Sequence, residues 1–202
     1  MATAAFILIA YLIGSLSFAV IVSRAMGLPD PHSYGSGNPG ATNVLRTGKK
    51  TAAILTLVGD ALKGWLAVVL AQAYGPRYGV GDAGVAGVAL AAFVGHLYPV
   101  FFGFRGGKGV ATAAGILFAV SGWLGLASLA TFAIIVFFFR YVSLASMIAA
   151  VFAAFYVVFL HGFNEMALAV TAMAALLVYR HRDNIRKLAA GTERRLGEKK
   201  AA

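Results

Sequence analysis

The chain has 202 residues, of which 60% are hydrophobic and only 12% are charged. This balance excludes a soluble domain, in which about a quarter of the residues carry charge, and indicates an integral membrane protein. The net charge of +10 does not require a nucleic-acid partner, because membrane proteins usually carry an excess of Lys and Arg on their cytoplasmic side. The lack of cysteine in the sequence excludes thiol nucleophiles, disulfides and cysteine-ligated zinc.

Apolar segments follow one another along the chain, and each predicts a transmembrane helix, since a helix needs about 20 apolar residues to cross a bilayer. They cover residues 4–23, 52–73, 83–102, 110–120, 123–139, 144–160 and 166–179. No Lys or Arg precedes the first segment and Arg24 follows it, so this segment predicts a retained span and not a secretory signal peptide. The sequence therefore predicts an all-α, polytopic protein that spans the membrane seven times.

The stretch 110–139 decides the number of spans. As one helix it would be about 45 Å long, too long for a single crossing, whereas a break at Ser121-Gly122 makes two short helices. With the break, and with the N-terminus outside, 15 of the 17 Lys and Arg residues fall on the cytoplasmic side, Arg77 falls outside and Lys63 lies within a span. Without the break, Arg140 and the basic C-terminus would lie outside, against the positive-inside rule. We therefore expect seven helices and a cytoplasmic C-terminus.

Residues 34–43, which follow the first span, form a Gly-rich polar segment that we call loop 1. The segment contains the spacing G-x-G-x-x-G, but a dinucleotide-binding fold needs a buried strand before the glycines, and here a membrane helix precedes them. A tight turn would explain most of these residues. So many polar donors beside small residues that expose backbone N–H groups favour an anion site instead. The candidate residues are Ser36, Gly37, Asn38, Gly40 and Asn43, with Arg46 close behind.

Ionisable residues inside two of the predicted spans indicate a supporting role. Asp60 and Lys63 are three residues apart on one helix face, and ionisable residues within a membrane usually face the bundle interior and pair. We interpret them as a structural ion pair that braces a site. His96 lies about two helical turns before Gly103, near the cytoplasmic end of its helix, and fits a structural role as well as a functional one.

Residues 103–109, which we call loop 2, precede a helix that begins near Val110. The free N–H groups and positive dipole end of that helix lie next to Arg105 and Lys108. The segment is not a Walker A loop, because Gly109 and not Ser or Thr follows the lysine. Topology signals and helix packing could explain it, but glycines on both sides of a lysine favour phosphate binding. The candidate residues are Gly106, Gly107, Lys108, Gly109 and Thr112.

The last span leads into a basic, polar segment. If its helix continues into the cytoplasm, His181 and Asn184 project from one face. An anchor to anionic lipid accounts for most of the surrounding Lys and Arg, but not for this His/Asn pair. Ser143 adds a hydroxyl group on the same side of the membrane. We expect a single domain over 1–195 and a flexible basic tail over 196–202.

Together, the two loops and the His/Asn pair predict a site for more than one anionic group at the membrane surface. A polyanionic substrate related to lipids fits such a site. The sequence shows no His/Asp/Glu cluster with the spacing of metal ligands, so we expect neither a metal nor a cofactor.

Three motifs, in the same order, closely resemble those of the bacterial acyl-phosphate:glycerol-3-phosphate acyltransferases, the PlsY family. They are GSGNPGATN at 35–43, GHLYPV at 95–100 leading to FRGGKGVAT at 104–112, and RHRDNI at 180–185. The resemblance runs from the first helix to Glu193 and implies seven spans in the bacterial inner membrane, with the motifs in the cytoplasm. It also implies that a fatty acyl group passes from acyl phosphate to the 1-hydroxyl of glycerol 3-phosphate. The products would be lysophosphatidate and phosphate, in the first acylation step of phospholipid synthesis.

Positioning and electrostatic stabilisation would supply most of the catalysis in such a reaction, because a mixed anhydride already has a good leaving group. No covalent acyl-enzyme is required. As a hypothesis, glycerol 3-phosphate is held by Lys108, Ser143, His181 and Asn184, with Arg46 nearby. The acyl phosphate is held by the loop residues Ser36, Gly37, Asn38, Gly40, Asn43, Gly106, Gly107, Gly109 and Thr112.

The catalytic candidates are Ser36, Lys108, His181 and Asn184. His181 is the obvious general base, but a cationic pocket lowers the pKa of its imidazole, and an imidazole that holds phosphate cannot also act freely as a base. We therefore favour the phosphate of the acyl donor as the proton acceptor.

Two other classes of function compete with this interpretation. A transporter of phosphorylated solutes would use Asp60 and Lys63, but such sites lie near the midplane between repeats, and the sequence shows no repeat. A noncatalytic subunit with a basic docking face would leave Asn38, Asn43, His181 and Asn184 without a role. We expect a monomeric enzyme whose partners are its two substrates and membrane lipid, with no nucleic acid.

Overall fold

The structure, a computed structural model, describes residues 1–198, and all regular secondary structure in this range is helical. The α-helices are α1 (Ala2–Gly14), α2 (Phe18–Ala25), α3 (Ala41–Val44), α4 (Lys50–Tyr74), α5 (Asp82–Leu97), α6 (Val110–Val120), α7 (Gly122–Phe139), α8 (Val142–His161), α9 (Glu165–Arg180) and α10 (Arg182–Ala189). Short 3₁₀ turns follow α3, α4 and α5. The predicted all-α class is confirmed for this part of the chain.

Four helical segments within the described residues are long and apolar enough to cross a membrane. They are Lys50–Tyr78, Asp82–Phe102, Gly122–Phe139 and Val142–His161. The consecutive helices α1 and α2 form a fifth candidate, with a bend of 43° between them. The apolar helices α6 and α9 are shorter, with 11 and 16 residues.

The predicted break in the stretch 110–139 is present. α6 ends at Val120, Ser121 is extended with a φ of −160°, and α7 begins at Gly122. The Oγ of Ser121 accepts a hydrogen bond from the N–H of Leu124 and so caps the new helix. α7 then packs back against α6, and a Cβ on Gly125 would lie only 2.4 Å from the ring of Phe118.

The first predicted span, 4–23, is broken, which the sequence analysis did not anticipate. α1 ends at Gly14 and α2 begins at Phe18, so backbone groups of the connection lack partners within a helix. Side chains of α4 supply partners for two of these groups. The Nζ of Lys63 donates to the carbonyl of Leu16 at 2.6 Å, and the N–H of Phe18 donates to an oxygen of Asp60 at 3.4 Å.

The centre of the bundle is α5, which packs against α1, α4 and α9. Its buried side chains include Phe93 and Leu97, which pack into the largest hydrophobic cluster. α1 approaches α5 closely, because a Cβ on Gly14 would lie 2.1 Å from the carbonyl oxygen of Ala92 and one on Gly95 would lie 2.4 Å from that of Tyr11. This core fixes the end of α5, from which loop 2 leaves.

Four polar segments were predicted to lie on the same side of the membrane: loop 1, loop 2, the chain around Ser143 and the segment that follows α9. They meet at one end of the bundle. The Nε2 of His32 lies 2.8 Å from the carbonyl oxygen of Arg105 and joins the segment before loop 1 to loop 2. Ser143 lies 2.5 Å from Glu193 and joins the start of α8 to the chain beyond α10. The helix ends at this face therefore bring together residues that are far apart in sequence.

Of the predicted tail 196–202, the structure describes 196–198, and residues 199–202 lie outside the described residues. The N–H of Leu196 donates to the carbonyl of Arg140 at 2.6 Å, and the Nη2 of Arg140 donates to the carbonyl of Leu196 at 2.8 Å. The chain beyond α10 thus returns to the junction between α7 and α8.

Candidate functional site

Loop 1 is organised from within by the buried side chain of Asn43. Its Oδ1 accepts a hydrogen bond from the N–H of Ser36 at 3.0 Å, and its Nδ2 donates to the carbonyls of Pro31 at 2.8 Å and Tyr34 at 3.2 Å. Gly35 has a left-handed φ of 62°, and a Cβ there would lie 2.2 Å from the Oδ1 of Asn43. Asn43, expected among the acyl phosphate ligands, therefore uses its side chain on the loop itself.

The other loop 1 candidates lie nearer the surface. Ser36 and Gly37 are exposed, while Asn38 and Gly40 are half-buried. The hydroxyl oxygen of Ser36 accepts a hydrogen bond from the N–H of Asn38 at 3.4 Å. Arg46, in the 3₁₀ turn after α3, is exposed as well. These donors face the water at the end of the bundle and are accessible to a ligand.

Loop 2 lies between the end of α5 and loop 1, with no room for side chains at Gly106, Gly107 and Gly109. A Cβ on Gly106 would lie 2.1 Å from the carbonyl oxygen of His96. A Cβ on Gly107 would lie 2.3 Å from the Nε2 of His96 and 2.9 Å from the carbonyl oxygen of Pro39. Gly109 has a φ of 85°, which glycine adopts at little cost. Because Pro39 belongs to loop 1, the two predicted anion-binding loops form one surface.

Three of the residues expected to hold glycerol 3-phosphate belong to one hydrogen-bond network. The Nζ of Lys108 donates to the Oδ1 of Asn184. The Nδ2 of Asn184 donates to the Oε1 of Glu193 at 2.6 Å, and the buried hydroxyl of Ser143 donates to the same oxygen at 2.5 Å. Lys108, before α6, thus bonds to Asn184 directly, and Ser143, at the start of α8, is joined to Asn184 through Glu193.

Burial lowers the pKa of Lys108, and the nearby carboxylate of Glu193 opposes this shift. No role was predicted for Glu193, an acidic residue next to the arginines that follow α10. The available signal was its position, because between Asp183 and Glu198 it is the one acidic residue and has cations and amides to accept from. Its two hydrogen bonds make Glu193 part of the site.

His181 lies between α9 and α10 and is buried, with 3% of its surface exposed. Its Nδ1 is 2.8 Å from the carbonyl oxygen of Leu177. Since a carbonyl only accepts, Nδ1 carries the hydrogen and Nε2 presents a lone pair. Burial lowers the pKa of His181 to about 4, the Leu177 hydrogen bond opposes this shift, and the charge of Lys108 adds to it. At neutral pH this imidazole is uncharged and can accept a hydrogen bond from a hydroxyl group.

Arg180, the last residue of α9, is a second contributor that the sequence analysis missed. Its guanidinium donates to the carbonyls of Gly106 at 2.8 Å and Gly107 at 3.2 Å, and it lies over the ring of Tyr98 at 5.5 Å from the centroid. Arg180 therefore ties loop 2 to the chain segment that carries His181.

The supporting residues form an interior cluster beneath loop 2. The predicted ion pair is confirmed, with the Nζ of Lys63 2.8 Å from a carboxylate oxygen of Asp60. The hydroxyl of Thr112 donates to the carbonyl of Asp60 at 2.9 Å and lies 3.1 Å from the Nδ1 of His96. Thr112, expected among the acyl phosphate ligands, is fully buried in this cluster and lies away from the exposed surface of the loops.

Comparison with known proteins identifies the family of this chain. The family model described as glycerol-3-phosphate acyltransferase matches residues 4–191. The glycerol-3-phosphate acyltransferase of Ralstonia nicotianae is 68% identical over 199 residues, which cover 98% of this chain and 96% of that protein. The corresponding protein of Cupriavidus taiwanensis is 66% identical over 200 residues, which cover 99% of each chain.

A solved structure shares the fold. The crystal structure of PlsY (YgiH), an integral membrane glycerol 3-phosphate acyltransferase in its glycerol 3-phosphate form, matches with a TM-score of 0.90 and 38% sequence identity. The match covers 98% of this chain and 96% of that one. The chain described here therefore belongs to the glycerol-3-phosphate acyltransferase family and is a membrane acyltransferase of the PlsY type.

Proposed function

We propose that the acyl donor of this enzyme is acyl phosphate and that its products are lysophosphatidate and inorganic phosphate. The observation that carries the proposal is the bond between Lys108 of loop 2 and Asn184 of α10. It brings a Gly-rich anion loop and a set of polar side chains to the same point. Two adjacent anion-binding regions suit a reaction in which both the acceptor and the donor carry a phosphate group.

Glycerol 3-phosphate is held by the network around Asn184. Its phosphate accepts hydrogen bonds from Lys108 and Asn184, and from Ser143 once its single hydroxyl hydrogen turns from Glu193 to the ligand, while the exposed guanidinium of Arg46 adds positive charge. The Nε2 lone pair of His181 accepts a hydrogen bond from a glycerol hydroxyl group and so aims the 1-hydroxyl oxygen. Support for this assignment comes from the shared network of the first three residues and from the uncharged state of His181.

The acyl phosphate lies against loops 1 and 2, with its acyl chain in the bilayer. Its phosphate is bound by backbone N–H groups of the glycines and by the side chains of Ser36 and Asn38. Asn43 and Thr112 act indirectly, because the first shapes loop 1 and the second braces the start of α6. The glycines whose N–H groups contribute are Gly40, Gly106 and Gly109. The N–H groups of Gly37 and Gly107 already donate to the carbonyls of Tyr34 and His96, so these two glycines shape the loops instead.

The transfer is a direct displacement. The oxygen of the 1-hydroxyl forms an ester bond with the acyl carbon, and the bond between that carbon and the phosphate oxygen breaks. The phosphate leaves with the bonding electrons and takes the hydroxyl proton. A pKa of about 4 makes His181 a weak base at neutral pH, whereas the departing phosphate becomes more basic as it gains charge, which supports the phosphate as the proton acceptor.

The chain crosses the bacterial inner membrane seven times as a single domain over 1–195, with the N-terminus outside and the active site and C-terminus in the cytoplasm. The spans are the bent pair α1 and α2, followed by α4, α5, α6, α7, α8 and α9. Support comes from charge, because this arrangement places 15 of the 17 Lys and Arg residues on the cytoplasmic side. The site needs residues of one chain only, so the enzyme acts as a monomer.

The decisive experiment incubates purified protein with labelled glycerol 3-phosphate and, in separate reactions, acyl phosphate or the matching acyl coenzyme A. We expect labelled lysophosphatidate in the reaction with acyl phosphate and none in the reaction with acyl coenzyme A. Product formation from acyl coenzyme A but not from acyl phosphate would contradict the proposed donor. Uptake of labelled glycerol 3-phosphate into sealed vesicles without acylation would instead indicate a transporter.

A further inference from the structure

Arg180 makes contacts that a lipid anchor would not make. It is half-buried, its Nη2 donates to the carbonyl of Gly106 at 2.8 Å, and its Nε donates to the carbonyl of Gly107 at 3.2 Å. Its guanidinium plane also lies over the ring of Tyr98, 5.5 Å from the centroid. A planar group with donors in a fixed fork is thus held against two successive carbonyls of loop 2.

These two bonds determine where the N–H groups of loop 2 point. In a trans peptide the carbonyl and the N–H of the next residue lie on opposite sides of the chain. With the Gly106 carbonyl turned toward Arg180, the N–H of Gly107 points the other way and donates to the carbonyl of His96 at 3.2 Å. With the Gly107 carbonyl turned toward Arg180, the N–H of Lys108 likewise points away from Arg180.

The loop needs an external constraint of this kind, because glycine has the largest conformational freedom of any residue. If the peptide between Gly107 and Lys108 rotated, it would present a carbonyl oxygen where it now presents an N–H group. A carbonyl oxygen repels an anion and an N–H group binds one. The guanidinium of Arg180 favours the orientation that binds, since it is the partner of the carbonyl in that orientation only.

We propose that Arg180 is a positioning residue for the acyl donor, which fixes the loop 2 peptides so that the Lys108 N–H faces the phosphate of acyl phosphate. The proposal rests on the function proposed above for loop 2. Arg180 does not touch the donor and acts through the two glycine carbonyls. Its loss is therefore expected to weaken donor binding far more than acceptor binding.

The test compares Arg180→Gln with Arg182→Gln. Arg182 is a matched control, because it lies two residues away, carries the same charge, is exposed and stacks on Tyr179 at 5.0 Å from the ring centroid. We expect Arg180→Gln to raise the KM for acyl phosphate about tenfold, as for the loss of a hydrogen bond to a charged group. The KM for glycerol 3-phosphate should change less than about twofold, as should both KM values in Arg182→Gln.

Binding provides a readout that does not depend on turnover. An acyl phosphonate, in which a methylene group replaces the bridging oxygen, should bind to Arg180→Gln about tenfold more weakly than to Arg182→Gln. Arg180→Lys keeps the charge but lacks the forked pair of donors. Its affinity for the acyl phosphonate should therefore lie between those of Arg180→Gln and the unmodified protein. If Arg180→Gln is not recovered from membranes, Arg180→Lys takes its place in both assays, and a KM and an affinity like those of the unmodified protein would overturn the proposal.

Equal KM values for acyl phosphate in Arg180→Gln and Arg182→Gln would show that loop 2 does not need Arg180. A fall in kcat alone, with both KM values unchanged, would indicate a loss of active protein and would also refute the positioning role. Failure of the proposed function is distinguishable from both results. It would appear in the unmodified protein, as a lack of lysophosphatidate from acyl phosphate, and would remove the basis of the proposal.

Discussion

Lys108 contributes two kinds of donor to the site, and they serve different substrates in the proposed reaction. Its backbone belongs to loop 2, while its side chain reaches across to Asn184. Partial burial makes the charge of this side chain more effective, because less water screens it from a bound phosphate. A single position thus joins the donor-binding loop to the acceptor-binding network.

Replacement of the Lys108 side chain should remove most of the activity. Lys108→Ala is expected to lower kcat/KM for glycerol 3-phosphate by about 10–100-fold, the loss typical of a hydrogen bond between charged groups. Steady-state kinetics on the purified variant checks this. Lys187→Ala, on the exposed face of α10, is the control and should change kcat/KM by less than about twofold. Near-normal activity of Lys108→Ala would contradict the phosphate-binding role.

The role of His181 can be separated into binding and proton transfer. If its Nε2 only aims the glycerol hydroxyl, His181→Ala should raise the KM for glycerol 3-phosphate about tenfold and leave kcat at saturation within about threefold. Kinetics at several concentrations of both substrates distinguishes the two parameters. A large loss of kcat at saturating substrate would instead identify His181 as the general base.

The buried, uncharged His181 also makes stability depend on pH. Its pKa is about 4 in the folded protein and about 6.5 when unfolded, so the unfolded chain binds a proton first as pH falls. The free energy of unfolding therefore has its full value above about pH 6.5. It falls between that pH and about pH 4, by about 3 kcal/mol at most. Thermal denaturation in detergent should show a steeper loss of stability over this range in the unmodified protein than in His181→Gln. If the stability of both proteins fell equally with pH, the assigned burial of a neutral imidazole would be contradicted.

At the scale of elements, loop 2 depends on the absence of side chains. Gly107→Ala would place a Cβ 2.3 Å from the His96 ring and 2.9 Å from the Pro39 backbone, so the loop must move. We expect kcat/KM to fall by about tenfold or more, because strain of this kind typically costs about 1–3 kcal/mol. Gly122→Ala, where a Cβ meets nothing within 4 Å, should leave kcat/KM unchanged in the same assay. Equal activity in the two variants would show that loop 2 tolerates displacement.

Elements whose limits follow from local chemistry could be predicted from the sequence. The break at Ser121-Gly122 follows from the excessive length of 110–139 and from a residue suited to cap a helix. The break between α1 and α2 was not predicted, because 4–23 has the length of a single span and Gly14, Ser15 and Ser17 gave no reason of length to divide it. The side chains that satisfy its backbone groups belong to α4.

The same distinction applies to the candidate site. Lys108 and Asn184 could be found, because each lies in a short motif whose composition has no simple structural explanation. Arg180 could not be assigned, since the two carbonyls it contacts lie 73 and 74 residues away along the chain. Glu193 could not be assigned either, since one of its two partners, Ser143, lies 50 residues away. Whether the side chains of Asn43 and Thr112 point to the surface or to the interior also depends on contacts that only the folded chain defines.

For the whole molecule, the proposed topology can be tested directly, because the chain contains no cysteine that would give background labelling. Arg77→Cys should react with a membrane-impermeant maleimide added to intact cells, since residue 77 lies on the proposed outer face. Lys187→Cys should react only after the membrane is permeabilised. Labelling of both positions in intact cells, or of Lys187→Cys alone, would contradict seven spans with a cytoplasmic C-terminus.

The break between α1 and α2 ties the maturation of the first span to that of α4. Unpaired carbonyl and N–H groups are costly in a hydrocarbon environment, so the bent form is stable only once Lys63 and Asp60 are beside it. During synthesis the first span leaves the ribosome before either residue does. We therefore expect the first span to enter the bilayer as a straighter helix and to bend when α4 packs beside it. The final shape of the first span thus depends on α4.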